Sequence, residues 1–281
     1  MALMQVDFFS KVLGMCCQCN VILPQSEQGI GVTGSGELTE KKVPTLWLLH
    51  GASDDHTIWL RRTSIERYVA PLGIAVVMPA AHLSSYCNMK YGKRYYDYFT
   101  EELPAILRDF FPLSDRREDN FVAGLSMGGY GALKMGFGRP DLYSAIGCFS
   151  AGNMPYREEG TRFFRGERAS GGASCSMACF GTESMKDLIG DENADVFAMI
   201  EKSLAKGETM PRVFHACGTE DLGVENARFT QRTIREKYPQ IEYEYREGPG
   251  AHTWEFWDEW IQKYLAWLLP QKGEKQKEFR L

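Results

Sequence analysis

Between residues 45 and 269 the chain alternates two kinds of segment. Short apolar runs at 45–49, 74–78, 121–125, 145–150 and 211–217 show no regular polar alternation. Strands of that composition have both faces covered, as in a parallel sheet flanked by helices. Between them lie longer segments of helical pattern at 64–72, 95–111, 129–138, 195–206, 225–237 and 256–269. Pro104 falls inside the second of these and predicts a kink or a boundary there. Residues 241–247 alternate as an edge strand would. Strand following helix in this order predicts a mostly parallel sheet with helices on both faces, in one α/β domain.

The flanks read differently. Residues 3–10 and 15–23 are strand-like and joined by a turn at 11–14, which predicts an antiparallel hairpin at a sheet edge. Residues 25–42 are polar, hold four glycines and read as a loop. From 152 to about 191 the pattern dissolves into Gly, Ser, Arg and Glu with Phe163, Phe164 and Phe180 scattered through, which predicts a long functional loop or a small cap. The charged stretch 271–281 is expected to fray. There is no internal repeat.

Composition narrows the function classes. The 281 residues are 44% apolar and 25% charged, the balance of an ordinary globule. The net charge of −5 comes from interspersed acids and bases, so neither a nucleic-acid face nor a polybasic membrane anchor is expected. No apolar run approaches a membrane-spanning length. Residues 1–7 lack a basic stretch and carry Asp7, which argues against a secretory leader. Eight cysteines are present. Cys148 and Cys217 fall in core strands, where a thiol acts as a small hydrophobe. Cys16-Cys17-x-Cys19 invites a metal reading, but in a strand Cys16 faces away from Cys17 and Cys19, and no Cys/His pair completes a zinc spacing. No metal and no cofactor are expected, and unpaired thiols suggest a reducing, cytoplasmic setting.

The chemistry centres on Gly124-x-Ser126-x-Gly128, between the run 121–125 and a helix rich in small residues. A strand turning at once into a helix cramps the backbone at the central residue, and glycine two before and two after removes the clashing Cβ atoms. The serine then stands at the carboxyl end of the sheet. It needs a base, and the base needs an orienting carboxylate. Of five histidines, only His215 and His252 follow Ser126. His215 lies within a strand run, whereas His252 lies in the loop Gly248-Pro249-Gly250-Ala251-His252 before the last helix. For the acid, Asp221 follows the strand ending at Cys217, with Glu220 beside it as the runner-up; Asp191 and Asp195 fit less well. An oxyanion site needs two amides: one from Met127 and one from the His50-Gly51-Ala52 turn, for which Ala52 is chosen. Trp59, Tyr91 and Trp254 are candidates to line a substrate pocket. No phosphate loop, dinucleotide fingerprint or His-Glu-x-x-His is present. These residues predict an enzyme acting on a small ester, with homo-oligomerisation left open. The rivals are an acyltransferase of related fold and a non-catalytic binding module, and a binding module has no use for Ser126, Asp221 and His252 together.

Leu48-Leu49-His50-Gly51-Ala52, Trp59, Val77-Met78-Pro79, Tyr91-Gly92, Glu101-Glu102-Leu103-Pro104, Gly124-Leu125-Ser126-Met127-Gly128-Gly129-Tyr130-Gly131-Ala132 and His252-Thr253-Trp254-Glu255-Phe256-Trp257 run in order. Together they resemble the tributyrin esterase group within the esterase D/S-formylglutathione hydrolase-like serine esterases. The resemblance spans about residues 3–269. It implies an α/β-hydrolase fold and hydrolysis of short-chain acyl esters without a cofactor. Some members of such a group act on acetyl or feruloyl groups of plant polysaccharide, or on thioesters. It carries the nucleophile onto Ser126, the acid onto Asp221, the base onto His252 and the oxyanion amides onto Ala52 and Met127.

Overall fold

A computed structural model describes residues 1–27, 29–31, 34, 42–156 and 175–269. Strands β1 (Ala2–Ser10) and β2 (Met15–Leu23) form the expected antiparallel hairpin, Ala2 opposite Leu23 and Ser10 opposite Met15. β2 then pairs antiparallel with β4 (Ala75–Pro79). Every remaining pairing is parallel, through β3 (Thr45–Leu49), β5 (Asn120–Leu125), β6 (Ala145–Phe149), β7 (Arg212–Gly218) and β8 (Tyr243–Gly248). The order is β1-β2-β4-β3-β5-β6-β7-β8. This eight-stranded, mostly parallel sheet is the α/β fold expected.

The unalternating runs are explained by burial on two sides. Leu46 and Leu48 of β3 join a core with helices α1 (Ile58–Arg62), α2 (Ile65–Val69) and α9 (Trp254–Leu268). Trp47 and Leu49 of the same strand point into the other core, formed with α3 (Tyr95–Asp97), α4 (Leu103–Phe110), α5 (Met127–Gly138), α7 (Val196–Ala205) and α8 (Val224–Lys237). Period-two side chains and a helical layer on each face put both sides of each strand in largely apolar surroundings.

Three elements differ from the reading of the chain. Residues 64–72 are a short α-helix followed by a 3₁₀ turn, Ala70–Leu72. The segment 95–111 contains a π-helical stretch, Tyr98–Glu102, ending two residues before Pro104. Proline has no N–H to continue the ladder, so the register slips there. The slip presents the Glu102 carboxylate to the hairpin turn, where it accepts from the Lys11 and Val12 amides at 2.7 and 3.2 Å. Within 152–191, described residues form α6 (Cys175–Phe180) and two 3₁₀ turns, Met154–Tyr156 and Met185–Leu188. Most of the loop expected at 25–42, residues 157–174 and the tail expected to fray lie outside the described residues. No helix among the described residues is long and apolar enough to cross a membrane.

Candidate active site

Because β5, β7 and β8 run parallel, their carboxyl ends lie on one edge of the sheet, and Ser126, Asp221 and His252 each follow one of them. Ser126 joins β5 to α5 with φ +52° and ψ −118°, a conformation a side chain rarely adopts. Its N–H donates to Phe149 O at 2.8 Å, tying the turn to β6. The flanking glycines are required by close backbone approach. A Cβ on Gly124 would meet Gly128 O at 2.5 Å, and one on Gly128 would meet the carbonyl oxygens of His50 and Leu49 at 2.6 Å. None of these contacts is the far end of a flexible side chain. Gly124→Ala and Gly128→Ala are therefore each expected to destabilise the protein by ~2 kcal/mol or more. Thermal unfolding checks this, and an unchanged Tm in both variants would show that the corner can relax.

The three side chains meet. His252 Nε2 lies 2.9 Å from Ser126 Oγ, and His252 Nδ1 lies 2.9 and 3.1 Å from the two Asp221 carboxylate oxygens. A carboxylate only accepts, so Nδ1 carries the proton and Nε2 is the acceptor facing the hydroxyl. The Asp221 side chain is fully buried, while that of His252 keeps 13% of its surface exposed. Burial alone would raise the Asp221 pKa. Hydrogen bonds and charge from His252, together with the Gly223 amide, outweigh it and hold the carboxyl below its usual range. This arrangement can draw a proton off Ser126 and stabilise the imidazolium that results. Glu220 is turned elsewhere: its carboxylate accepts from the Gly250 amide and the Thr219 hydroxyl, and its N–H donates to Gly250 O at 3.1 Å. It clasps the loop that carries His252 without touching the imidazole.

The turn after β3 lies over the corner, where a Cβ on Gly51 would come within 3.6 Å of Ser126 Cβ. His50 sets its direction. The Ala81 amide donates to His50 Nε2 at 2.8 Å, so the ring proton sits on Nδ1 and is donated to Gly51 O at 2.7 Å. In a trans peptide the Gly51 carbonyl and the Ala52 N–H point in opposite directions, so holding one aims the other. The Met127 amide opens α5 and has no partner within the helix.

Burial lowers the pKa of His50 to about 4, and does the same for His215, whose Nε2 donates to Ala151 O at 2.8 Å within β7. Both are neutral in the folded chain and protonate near ~6.5 when unfolded. The unfolded state thus binds more protons in that window. Their contribution is fully present above pH ~6.5 and is lost as pH falls toward 4, at roughly 3 kcal/mol each. Denaturant titrations from pH 7 to 4.5 should show this decline, and a flat profile would refute it.

Of the three expected pocket aromatics, Trp59 and Trp254 pack against each other, and Tyr91 lies exposed on another loop. Trp59 is only 1% exposed and donates its indole N–H to Leu49 O at 3.0 Å, so it is a core residue anchoring α1 to β3. Trp254 meets Trp59 and Trp257 edge-on at 5.1 and 5.2 Å. Tyr91 is 67% exposed, on a loop whose amide donates to Ala178 O of α6 at 2.9 Å. The aromatic content of these positions was legible, but not their depth. The clasp by Glu220 and the aiming role of His50 were not anticipated; a histidine directly after a buried strand was the available signal for the latter.

The chain is similar to Staphylococcus aureus fluorophosphonate-binding serine hydrolase F (FphF), a structure with substrate bound. Identity is 33%, coverage 95% of this chain and 98% of that one, and the TM-score 0.78. It is also similar to S-formylglutathione hydrolase (FrmB) of the same organism, at 32% identity, the same coverages and a TM-score of 0.77. A curated relative, the acetyl esterase of Caldicellulosiruptor saccharolyticus, is 28% identical over 270 residues, covering 95% of this chain and 98% of that protein. Residues 34–268 match the Esterase family, described as "Putative esterase". A mostly parallel sheet, a serine corner at its carboxyl edge and this family match agree: the chain belongs to the Esterase family and is a carboxylic ester hydrolase of the esterase D-like serine hydrolase group.

Proposed function

We propose that the chain hydrolyses short-chain acyl esters through a Ser126–His252–Asp221 triad and an acyl-enzyme intermediate. The observation that carries this reading is the continuous contact from Ser126 Oγ through His252 to the buried Asp221 carboxylate. In the first half-reaction His252 Nε2 takes the Ser126 proton as Oγ attacks the ester carbonyl. The resulting oxyanion is held by the Ala52 and Met127 amides. The tetrahedral species collapses, His252 returns the proton to the leaving alcohol, and Ser126 keeps the acyl group. Water then takes the place of the alcohol. His252 removes its proton, the acid is released and Ser126 regains its hydrogen. No cofactor enters either step.

A short acyl group is favoured by the likeness to an acetyl esterase, and thioester cleavage by the likeness to an S-formylglutathione hydrolase. The eight cysteines form no disulfide among the described residues, which suits a cytoplasmic setting. The test is a panel of p-nitrophenyl esters from acetyl to decanoyl, with a hydroxycinnamoyl ester and a glutathione thioester. kcat/KM is expected to peak between acetyl and butyryl. A maximum at decanoyl or on the hydroxycinnamoyl ester would overturn the short-chain assignment. Product partition with added alcohol separates hydrolysis from acyl transfer.

A further inference from the structure

The two edges of the sheet are unlike. The strand order ends on β1 at one side and on β8 at the other. β8 is six residues long and carries Glu244, Arg246 and Glu247, the kind of charge that keeps an exposed edge from pairing. β1 is nine residues long and holds no Lys, Arg, Pro or Gly; its one charge is Asp7. It is also regular: each residue from Ala2 to Ser10 opposes in turn one from Leu23 back to Met15, with no bulge. No described strand pairs with its outer side. A long, regular strand with an open row of N–H and C=O groups is a template for another strand.

Leu3, Gln5, Asp7 and Phe9 share one face of β1 and are exposed, Leu3 at 47% and Phe9 at 59%. Asp7 Oδ1 accepts from Gln18 Nε2 of β2 at 2.8 Å, which leaves its second oxygen to take another donor. A second copy of the chain can add its own β1 antiparallel, about a two-fold axis perpendicular to the sheet. Opposed residues in such a pair project to the same face, so the axis must pass between two copies of one residue. Centred on Gln5, the pairing sets Leu3 opposite the partner's Asp7. Centred on Asp7, it sets two carboxylates opposite each other, which is destabilising. Centred on Val6, it sets Leu3 opposite the partner's Phe9 and Gln5 opposite the partner's Asp7. On the other face Met4 then meets the partner's Phe8, and Val6 meets its own copy. Each large apolar residue opposes another, and each carboxylate faces an amide that can donate to it.

We propose that the chain forms a closed two-fold dimer through β1, in the register centred on Val6, joining two sheets into one. The partner is a second copy because the strand is complementary to itself: its exposed row of apolar, amide, carboxylate and apolar side chains matches its own reverse. The pairing uses up both open edges and leaves only the charged β8 edges outside, so assembly stops at two. One strand pair and its flanking side chains make a small interface, and micromolar affinity is expected.

The test is sedimentation equilibrium of the full chain from submicromolar to high micromolar concentration, with Tm and p-nitrophenyl acetate hydrolysis as checks on the fold. The parent is expected to pass from monomer to dimer and no further. Leu3→Lys and Phe9→Lys each set an ammonium against an apolar side chain at two symmetric places, so Kd rises about 10-fold or more. Gln5→Lys sets a cation opposite the partner's Asp7 and lowers Kd about threefold or more, whereas Gln5→Glu opposes two carboxylates and raises it by a similar factor. In all four variants kcat stays within about twofold of the parent, because β2, β4 and β3 separate β1 from the strand that leads to Ser126. The Gln5 pair alters only an exposed position, so it decides even where Phe9→Lys fails to fold. A chain that stays monomeric at every concentration, assemblies larger than two, or a dimer indifferent to Phe9→Lys would overturn the proposal. Weakening by both Gln5→Lys and Gln5→Glu would overturn it too, since only a register that opposes Gln5 to Asp7 separates the two signs.

Discussion

Ser126→Ala is expected to abolish turnover, with kcat for p-nitrophenyl esters falling on the order of 10⁶-fold, while the fold survives. The change removes one oxygen and adds nothing. The backbone bond that ties the corner to β6, from Ser126 N–H to Phe149 O at 2.8 Å, is untouched. The glycines that make room for the turn remain, and the positive φ is no harder for alanine than for serine. What disappears is the hydroxyl oxygen 2.9 Å from His252 Nε2, the atom that forms the acyl bond in the proposed reaction. Stability is expected within ~0.5 kcal/mol of the parent, the usual range for a change that breaks no packing. Matched thermal unfolding and steady-state rates measure both quantities. Turnover near the parent value in a folded Ser126→Ala protein would remove Ser126 as the nucleophile.

Asp221→Asn is expected to cost roughly 10⁴-fold in kcat, the loss found for the same change in a serine protease triad. Here the structure supplies the reason in detail. The Gly223 amide donates to Asp221 Oδ1 at 2.7 Å. In the asparagine variant the side-chain oxygen stays with that amide, so the NH₂ group turns to His252 Nδ1. Nδ1 must then accept, which moves the ring proton to Nε2 and blocks the position that should receive the Ser126 proton. Glu220→Gln should change the rate by less than about threefold. Glutamine retains an oxygen to accept from the Gly250 amide, and Glu220 does not contact the imidazole. Paired kinetics of the two variants decide the matter: a crippled Glu220→Gln beside an active Asp221→Asn would mean that the acid had been assigned to the wrong residue.

The strands and the serine corner were legible because they depend on local rules. Runs such as 45–49 and 74–78 carry no alternation, which is what burial between two helical layers imposes. Gly124-x-Ser126-x-Gly128 has its glycines where backbone atoms approach within 2.5–2.6 Å of a would-be Cβ. The chain order of Ser126, Asp221 and His252 could be read because each follows a separate strand. The sequence reading put Asp221 ahead of Glu220, but local pattern alone supplied no contact to justify the order. Adjacent residues in one turn differ in direction, and direction depends on where Gly223 and Gly250 lie. Nor could it tell Trp59, sealed against β3, from Tyr91, exposed above α6: both are aromatic residues near the same edge, and only packing sets their depth. The π-helical stretch at Tyr98–Glu102 needed the hairpin turn that its carboxylate caps. Local pattern therefore determined the elements and the candidate nucleophile, because strand burial and backbone crowding act over a few residues. Tertiary structure decided which acid meets His252 and how deep each aromatic lies, because hydrogen-bond direction and depth are properties of distant segments in contact.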